Sequence, residues 1–338
     1  MKKVTRKEIA RMAGVSEATV SYVFTNHRYV SPELRERVLS VSKEHGYSPD
    51  MIARAMVMKT TRTIGVLTND ISSPLQMEVI KGIQKAAADQ GFFVNVCGGA
   101  KQLDMYIDNF ISRRMDGVFV SADSLVIGDN QLKRLINHGI SVLVTSMRNM
   151  PDKRILGLKL NMYEGFKQIV SYLRDINHRN IAYISAFNAT FMDDDRINAF
   201  KSAMKNILGN ENPHIEEGVP PFYSDIDTGY KLTVNFLRKK TNSTAIITTN
   251  DMMALGAIKA VNDAGLKVPD NISVVGIDDI SYAKVLTPAL TTLSHRSIEY
   301  GERIFQILHD NINDKTKIVR EDFMPELILR DTCKEHRP

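Results

Sequence analysis

Cysteine is scarce in this sequence, and long apolar runs are missing. Cys97 and Cys333 are its only cysteines. Two isolated thiols make neither a disulfide framework nor a metal site, so reduced thiols in a cytosolic protein are expected. No apolar run approaches the ~18 residues that a membrane-spanning helix requires. The first residues, MKKVTRKEIARMAGV, are basic but carry no apolar stretch of the kind a secretory signal needs, so export is not expected. Signatures of catalysis are also lacking. There is no Walker-type phosphate loop, and Gly98-Gly99 falls short of Gly-x-Gly-x-x-Gly. The eight histidines are scattered without metal-ligand spacing, and no nucleophile–base–acid pattern stands out. An enzyme on an α/β fold is therefore disfavoured, and neither a cofactor nor a metal is expected.

What is present begins with charge. The first 62 residues hold twelve Lys/Arg and six Asp/Glu, whereas the rest of the chain holds 32 and 33. All of the net +5 charge thus originates in a short N-terminal segment. A basic segment on a neutral body fits a polyanionic partner, or simply a soluble basic surface. The 338 residues exceed one ordinary domain, and 43% apolar with 25% charged residues is a globular composition.

The basic segment has local structure written into it. Thr5-Arg6-Lys7-Glu8 fits a capping box that opens a helix. Gly14 breaks that helix where a turn needs positive φ, and Ser16 caps a second helix over Glu17–Phe24. Helix, tight glycine turn, helix is the helix-turn-helix pattern. On the second helix Glu17, Ala18, Ser21 and Tyr22 share one face, the face that a recognition helix lays in the major groove. An ordinary helical hairpin with a solvated face is the alternative. Ser31-Pro32-Glu33 opens a third helix that ends near Gly46. Ser48-Pro49-Asp50 then caps a segment, Met51–Met58, too short to be stable alone.

The run VTRKEIARMAGVSEATVSYVF, followed by VSPELRERV, GYSPDMIARAM and TRTIGV, resembles the headpiece of the lactose/galactose repressor (LacI) family. The resemblance implies roles. Glu17, Ala18, Ser21 and Tyr22 match base-reading positions. Thr5, Ser16, Thr19, Ser21, Asn26 and Ser31 match positions that clamp phosphates, contacts that set register. Met51–Met58 matches the hinge helix, which in the family forms when a dimer sits on its operator and enters the minor groove. Met56 stands where the family has a wedging leucine, and Ala53 matches the small residue that lets the helix lie close. A plain linker methionine is the other reading. Tyr22 replaces a common arginine, so guanine would not be read there by a bidentate pair. Glu17 either accepts from a cytosine amine or only favours the helix N-terminus.

From residue 63 the pattern changes to short β-branched runs alternating with helical stretches. Strands are expected at Ile64–Thr68, Phe93–Cys97, Val118–Ser121, Val142–Ser146, Ile181–Ser185, Ala245–Thr248, Ser273–Ile277, Thr291–Ser294 and Leu327–Leu329. Such alternation predicts parallel sheets with crossover helices, and its restart near 158–162 predicts two similar lobes. The fold class is therefore an all-α helix-turn-helix headpiece followed by α/β.

IGVLTNDISSPL, MDGVFVSA, HRNIAYIS, TAIITTNDMMALGAIKAVNDAGLKVPDNISVVGIDD and TPALTTLSH resemble the periplasmic-binding-protein-like core of the same family. This implies a headpiece over 1–48, a hinge and linker over 49–61 and a core over 62–338. Lobe one is then expected at about 62–160 and 293–322, and lobe two at about 161–291 and 323–332. The ligand is expected in the cleft between lobes. Arg196 and Asp251 match the effector-binding arginine and aspartate. A guanidinium fork and a carboxylate suit a polyhydroxylated ligand. Otherwise Arg196 pairs with Asp193–Asp195, and Asp251 caps the helix that follows. Leu75, Asn161 and Ser224 occupy further pocket positions but depart from the family's usual residues, and the aromatic expected near 224 is replaced by Ser224 beside Phe222 and Tyr223. The implied function is repression of a metabolic, carbohydrate-related operon. A cytoplasmic, nucleoid-associated homodimer would bind a pseudo-palindromic double-stranded operator under allosteric control by a sugar or sugar phosphate. Control by a protein corepressor or a phosphometabolite is the alternative. A transport binding protein would share the core, but it would need export and has no use for the headpiece.

Overall fold

The computed structural model describes residues 4–25, 28–48, 60–99, 102–121, 127–145, 152–188 and 195–337, together with Ala55 and Met58. The chain forms two compact units, Met1–Arg62 and Thr63–Pro338.

The first unit contains α1 (Arg6–Met12), α2 (Glu17–Thr25) and α3 (Pro32–Glu44). Each start is fixed locally. The Glu8 amide donates to Thr5 Oγ1 at 3.3 Å while the Thr5 amide donates to Glu8 Oε2 at 2.7 Å, which closes the capping box. Gly14 adopts φ +65° in the turn. Ser16 Oγ accepts from the Thr19 amide at 3.0 Å and Ser31 Oγ from the Leu34 amide at 3.4 Å. Ile9, Ala10, Ala13, Val20, Val23 and Val38 form the buried centre, with Val15, Phe24 and Tyr47 packed around it. This core is small, so the caps carry a sizeable share of the local stability, about 1 kcal/mol each.

The second unit contains two six-stranded sheets. The first has the order β11-β5-β4-β3-β1-β2, built from β1 (Thr63–Thr68), β2 (Phe93–Gly98), β3 (Gly117–Val120), β4 (Ser141–Val144), β5 (Leu156–Leu160) and β11 (Arg320–Phe323). The second has the order β12-β10-β9-β8-β6-β7, built from β6 (Ile181–Ser185), β7 (Ile215–Glu217), β8 (Ala245–Thr248), β9 (Ser273–Asp278), β10 (Thr291–Ser294) and β12 (Glu326–Ile328). All neighbouring strands run parallel except β10 and β12. In lobe one, α5 (Leu103–Ser112) and α6 (Asp129–Asn137) cover one face, and α4 (Pro74–Asp89) and α11 (Ser297–Asn313) the other. In lobe two, α7 (Met162–Asp175) and α8 (Arg196–Leu208) lie opposite α9 (Ile226–Arg238) and α10 (Asp251–Asp263). The central strands read as continuous buried runs because both faces are covered.

The chain crosses between the sheets after Leu160, after Ser294 and after Phe323. β10 hydrogen-bonds to β9, so the second crossing falls after Ser294 rather than between 291 and 293 as expected. Each crossing leaves the carboxyl end of a strand. The carboxyl edges of the two sheets are therefore the edges that meet, which is where open parallel sheets hold ligands.

Candidate DNA-reading surface and effector cleft

In the first unit, the buried Val20 and Val23 turn the opposite face of α2 outward. That face carries Ala18, exposed, and Glu17, Ser21 and Tyr22, half-buried. Glu17 is partnered: its Oε2 lies 3.2 Å from Arg6 Nε, and water reaches both side chains. The Arg28 guanidinium lies over the Tyr22 ring at 5.4 Å, so a cation stands beside the residue that replaces the usual arginine. Thr5, Ser16 and Ser31 sit at helix N-termini, and the Thr19 hydroxyl lies 2.9 Å from Ser16 Oγ. Hydroxyls and free amides at helix starts are suited to phosphate oxygens. Asn26, Ala53 and Met56 lie outside the described residues.

In the core, the carboxyl edge of lobe two gathers charge. The register pairs Ser294 with Asp278, so His295 follows directly beside the end of β9. His295 Nδ1 is 3.7 Å from Asp278 Oδ1. His295 is fully buried, and burial followed by the charge of Arg196 pushes its imidazole down to about 3. The imidazole is therefore neutral, and its approach to Asp278 is a contact rather than an ion pair. Arg196 opens α8 at the same edge. Three non-glycine residues here adopt positive φ: Asp278 at +123°, Asp279 at +59° and Arg296 at +46°. Such conformations cost on the order of 1–3 kcal/mol each and persist only where the surroundings over-determine them.

Arg330 donates to Asp279 at 2.6 Å, and Asp251 fastens the next residue of the turn. Asp251 is 0% exposed. Its Oδ2 accepts from the Ile280 amide at 2.9 Å, and its Oδ1 accepts from Thr292 Oγ1 at 2.5 Å. A Cβ at Gly276 would lie 2.1 Å from Oδ1, so a glycine is needed there for the carboxyl to fit. Burial raises its pKa to about 7, against the two hydrogen bonds. The expectation that Asp251 meets an effector does not fit this geometry, because both oxygens are spent inside lobe two. Nor is it the helix cap: Asn250 Oδ1 accepts from the Met253 amide at 2.9 Å. The carboxylate at the cleft edge is Asp278, which the sequence reading passed over within its own GIDD motif. The available signal was an acid at the carboxyl end of a strand.

The remaining expected positions divide. Asn161 caps α7, accepting from the Glu164 amide at 3.0 Å and donating to Asp322 at 3.0 Å, so its amide is used at the first crossing. Leu75 packs half-buried on the core of lobe one. Its neighbour Gln76 donates to Ser121 Oγ at 2.9 Å, just past the end of β3. Ser224 offers its backbone carbonyl to Asn250 at 2.9 Å. Phe222 instead packs on Phe187 at 5.7 Å, just beyond the end of β6. The Asp195 carboxylate is directed at Lys159 of lobe one, 3.5 Å away, while Asp193 and Asp194 lie outside the described residues. Among the described residues no group of three or more His, Cys, Asp or Glu is placed to hold a metal ion, and no helix is long and apolar enough to cross a membrane.

A model of bacterial regulatory proteins of the lacI family matches residues 5–50, and a periplasmic-binding-protein-like domain matches residues 170–333. The HTH-type transcriptional repressor PurR of Vibrio vulnificus (strain CMCP6) is 34% identical over 98% of this chain and 99% of its own. The chain belongs to the LacI family. PurR of Pasteurella multocida (strain Pm70) is 30% identical over 98% of each chain. These relatives are transcriptional repressors, and this member of the family is a DNA-binding regulator rather than an enzyme. The fold agrees throughout. The lac repressor dimer bound to operator and the anti-inducer ONPF superposes with a TM-score of 0.82 at 24% identity, covering 98% of this chain and 100% of that one. A family regulator, CCPA of Weissella paramesenteroides with bound glucose, gives 0.71 at 26% identity over 81% of this chain and 98% of that one.

Proposed function

We propose that this regulator represses a metabolic, carbohydrate-related operon as a cytoplasmic, nucleoid-associated homodimer. An uncombined effector cleft favours one pose of the paired headpieces, and a small ligand between the lobes shifts that balance. The observation that carries the effector reading is the convergence of Arg196, Asp278 and His295 on one carboxyl edge, two of them buried and with backbone strain concentrated around them. Ligand-bearing relatives of the fold hold glucose, ribose, sucrose or cellobiose. Sequence is read by Glu17, Ala18, Ser21 and Tyr22, with Arg28 beside Tyr22. Register is set by Thr5, Ser16, Thr19, Asn26 and Ser31, and the minor groove is entered by Ala53 and Met56.

The dimer is supported by apolar surface on the outer strand of lobe one. Phe93 is 64% exposed on β2, with Val96 and Ile71 also exposed nearby. An open strand edge with apolar side chains is a template for a second copy. Two headpieces on a pseudo-palindrome then follow from two-fold symmetry.

The test is a selection from random duplexes followed by binding of the enriched site with and without ribose, glucose, sucrose and cellobiose. A palindromic site, two chains per duplex and a sugar-dependent affinity that Arg196→Ala removes are expected. Failure to enrich any site refutes the operator reading. A response that survives in Arg196→Ala refutes the cleft, and would favour a protein corepressor or a phosphometabolite acting elsewhere.

A further inference from the structure

The chain passes between the lobes through very short connections. Asn161 alone separates β5 from α7, His295 and Arg296 separate β10 from α11, and Met324 and Pro325 separate β11 from β12. A turn of one lobe against the other is absorbed at or beside these residues. Arg296 is the anomalous one. It is the N-cap of α11, a position that favours an extended backbone and a short oxygen-bearing side chain. Arg296 instead has φ +46° and ψ +54°, in the left-handed region, and makes no capping bond. An arginine is strained in that conformation. Its Nε is also buried without a hydrogen-bond partner, which is a second cost. Three contacts offset these costs, and two of them lie on another crossing. Nη1 donates to Glu299 Oε2 at 3.0 Å, in the first turn of α11. Nη2 donates to the Met324 carbonyl oxygen at 3.3 Å, and the guanidinium lies over the Phe323 ring, 4.8 Å from its centroid.

The third crossing is also held from its other sides. The Asn161 amide donates to the Phe323 carbonyl oxygen at 3.0 Å, and Asn161 Nδ2 donates to Asp322 Oδ2 at 3.0 Å. From lobe two, Gln168 of α7 donates to the Pro325 carbonyl oxygen at 3.1 Å and accepts from the Leu327 amide at 3.0 Å. The first and second crossings thus fasten to the third where it leaves lobe one, and lobe two takes hold one residue later. We propose that Arg296 is the latch of this joint: its guanidinium pins the third crossing to lobe one, and the lobes turn when it lets go. The proposal rests on the reading that the pose of the lobes governs the headpieces. Pro325 has a fixed φ and restricts Met324 before it, so the crossing has little play of its own. Holding the Met324 carbonyl therefore holds the direction of the whole connection. Latched, Arg296 gains a stacked cation and two hydrogen bonds. Released, its backbone leaves the strained region and Nε meets water. The side chain is 37% exposed, so it swings out without opening the core.

The test is amide hydrogen exchange, read by mass spectrometry, on the full-length protein and its Arg296→Asn and Arg296→Lys variants. Asparagine tolerates the left-handed backbone but is too short to reach the third crossing. Lysine keeps the charge and a long stem, so it can still lie over the Phe323 ring. Arg296→Asn should speed exchange about five- to thirtyfold in the peptides that contain the Asn161 and Leu327 amides. Arg296→Lys should stay within a fewfold of the parent. Peptides from β3 and β8, inside the two sheets, should be unchanged in both variants. If Arg296→Asn does not fold, Arg296→Gly replaces it, since glycine has neither the clamp nor the strain. Unchanged exchange at the crossings overturns the proposal. Equal acceleration in β3 and β8 also overturns it, because Arg296 would then only stabilise the fold. Operator affinity on the duplex enriched by selection separates the latch from the reading beneath it. A change of about fivefold or more in Arg296→Asn, restored in Arg296→Lys, supports both. Faster exchange at the crossings with unaltered operator affinity supports the latch and overturns the coupling of lobe pose to the headpieces.

Discussion

The two lobes share one topology and differ in what they place at the edge where they meet. Strand for strand, β2, β1, β3, β4, β5 and β11 correspond to β7, β6, β8, β9, β10 and β12. Among the described residues, the carboxyl edge of lobe one carries Ser121 and Gln76, joined by a side-chain hydrogen bond, with Lys159 and Asp322 near the ends of β5 and β11. At the carboxyl edge of lobe two stand Asp278, His295 and Arg196, with Asp251 behind them and positive φ at Asp278 and Asp279. Duplicated architecture thus carries an asymmetric site. Among the described residues, the buried titratable groups and the backbone strain at this edge come from lobe two. The outer strands differ as well: β11 joins its sheet parallel, whereas β12 joins antiparallel.

The largest test of that asymmetry is Asp251→Ala. It strands the Ile280 amide and the Thr292 hydroxyl and releases the turn that holds Asp278. Removing one partner from such a buried network costs about 3 kcal/mol. Gln76→Ala in lobe one loses one side-chain bond and should cost about 1 kcal/mol. Urea unfolding of both variants checks this, and equal losses would break the comparison.

These two residues also show what was legible in the sequence. The headpiece was legible because its signals are local: the Thr5–Glu8 box, Gly14, Ser16 and Ser31-Pro32 all act within four residues of themselves. The strands of each sheet's centre were legible as β-branched runs. β5, β7 and β11 were not, since β5 is interrupted by Gly157, β7 has three residues and β11 reads Arg-Glu-Asp-Phe. The headpiece face and the cleft position of Arg196 came with the family resemblance. Asp278 and His295 did not, because their placement depends on strand register and on a backbone conformation that no local pattern encodes. Asp251 was misjudged for the same reason: its motif marks a helix start, while its partners lie 29 and 41 residues away.

A smaller effect separates the two buried titrating groups by sign. Asp251 has its folded pKa raised from 3.8 to about 7, so between those values the folded state holds a proton that the unfolded chain has released. Its contribution to stability falls as pH rises through that window. His295 has its folded pKa lowered from 6.5 to about 3, so there the unfolded chain holds the proton and stability rises with pH. The two oppose each other from about pH 4 to pH 6.5. Asp251→Asn should therefore make stability climb more steeply with pH across this range, and His295→Gln should make it climb less. Melting curves at half-unit intervals distinguish them. Parallel shifts of the same sign in both variants would show that these groups do not titrate as their burial dictates.

The smallest effect belongs to Lys159 and Asp195, the ion pair between β5 of lobe one and the start of α8 in lobe two. The side chains are 34% and 25% exposed and their charged atoms are 3.5 Å apart, so water screens much of the attraction. A double-mutant cycle with Lys159→Ala and Asp195→Ala should give a coupling of about 0.5 kcal/mol. With the Debye length down to ~3 Å in 1 M salt, that coupling should then nearly disappear. The pair would thus register the lobes against each other without locking them, which leaves the ligand free to set their balance through its differential affinity. A salt-resistant coupling above about 2 kcal/mol would mean a desolvated latch instead.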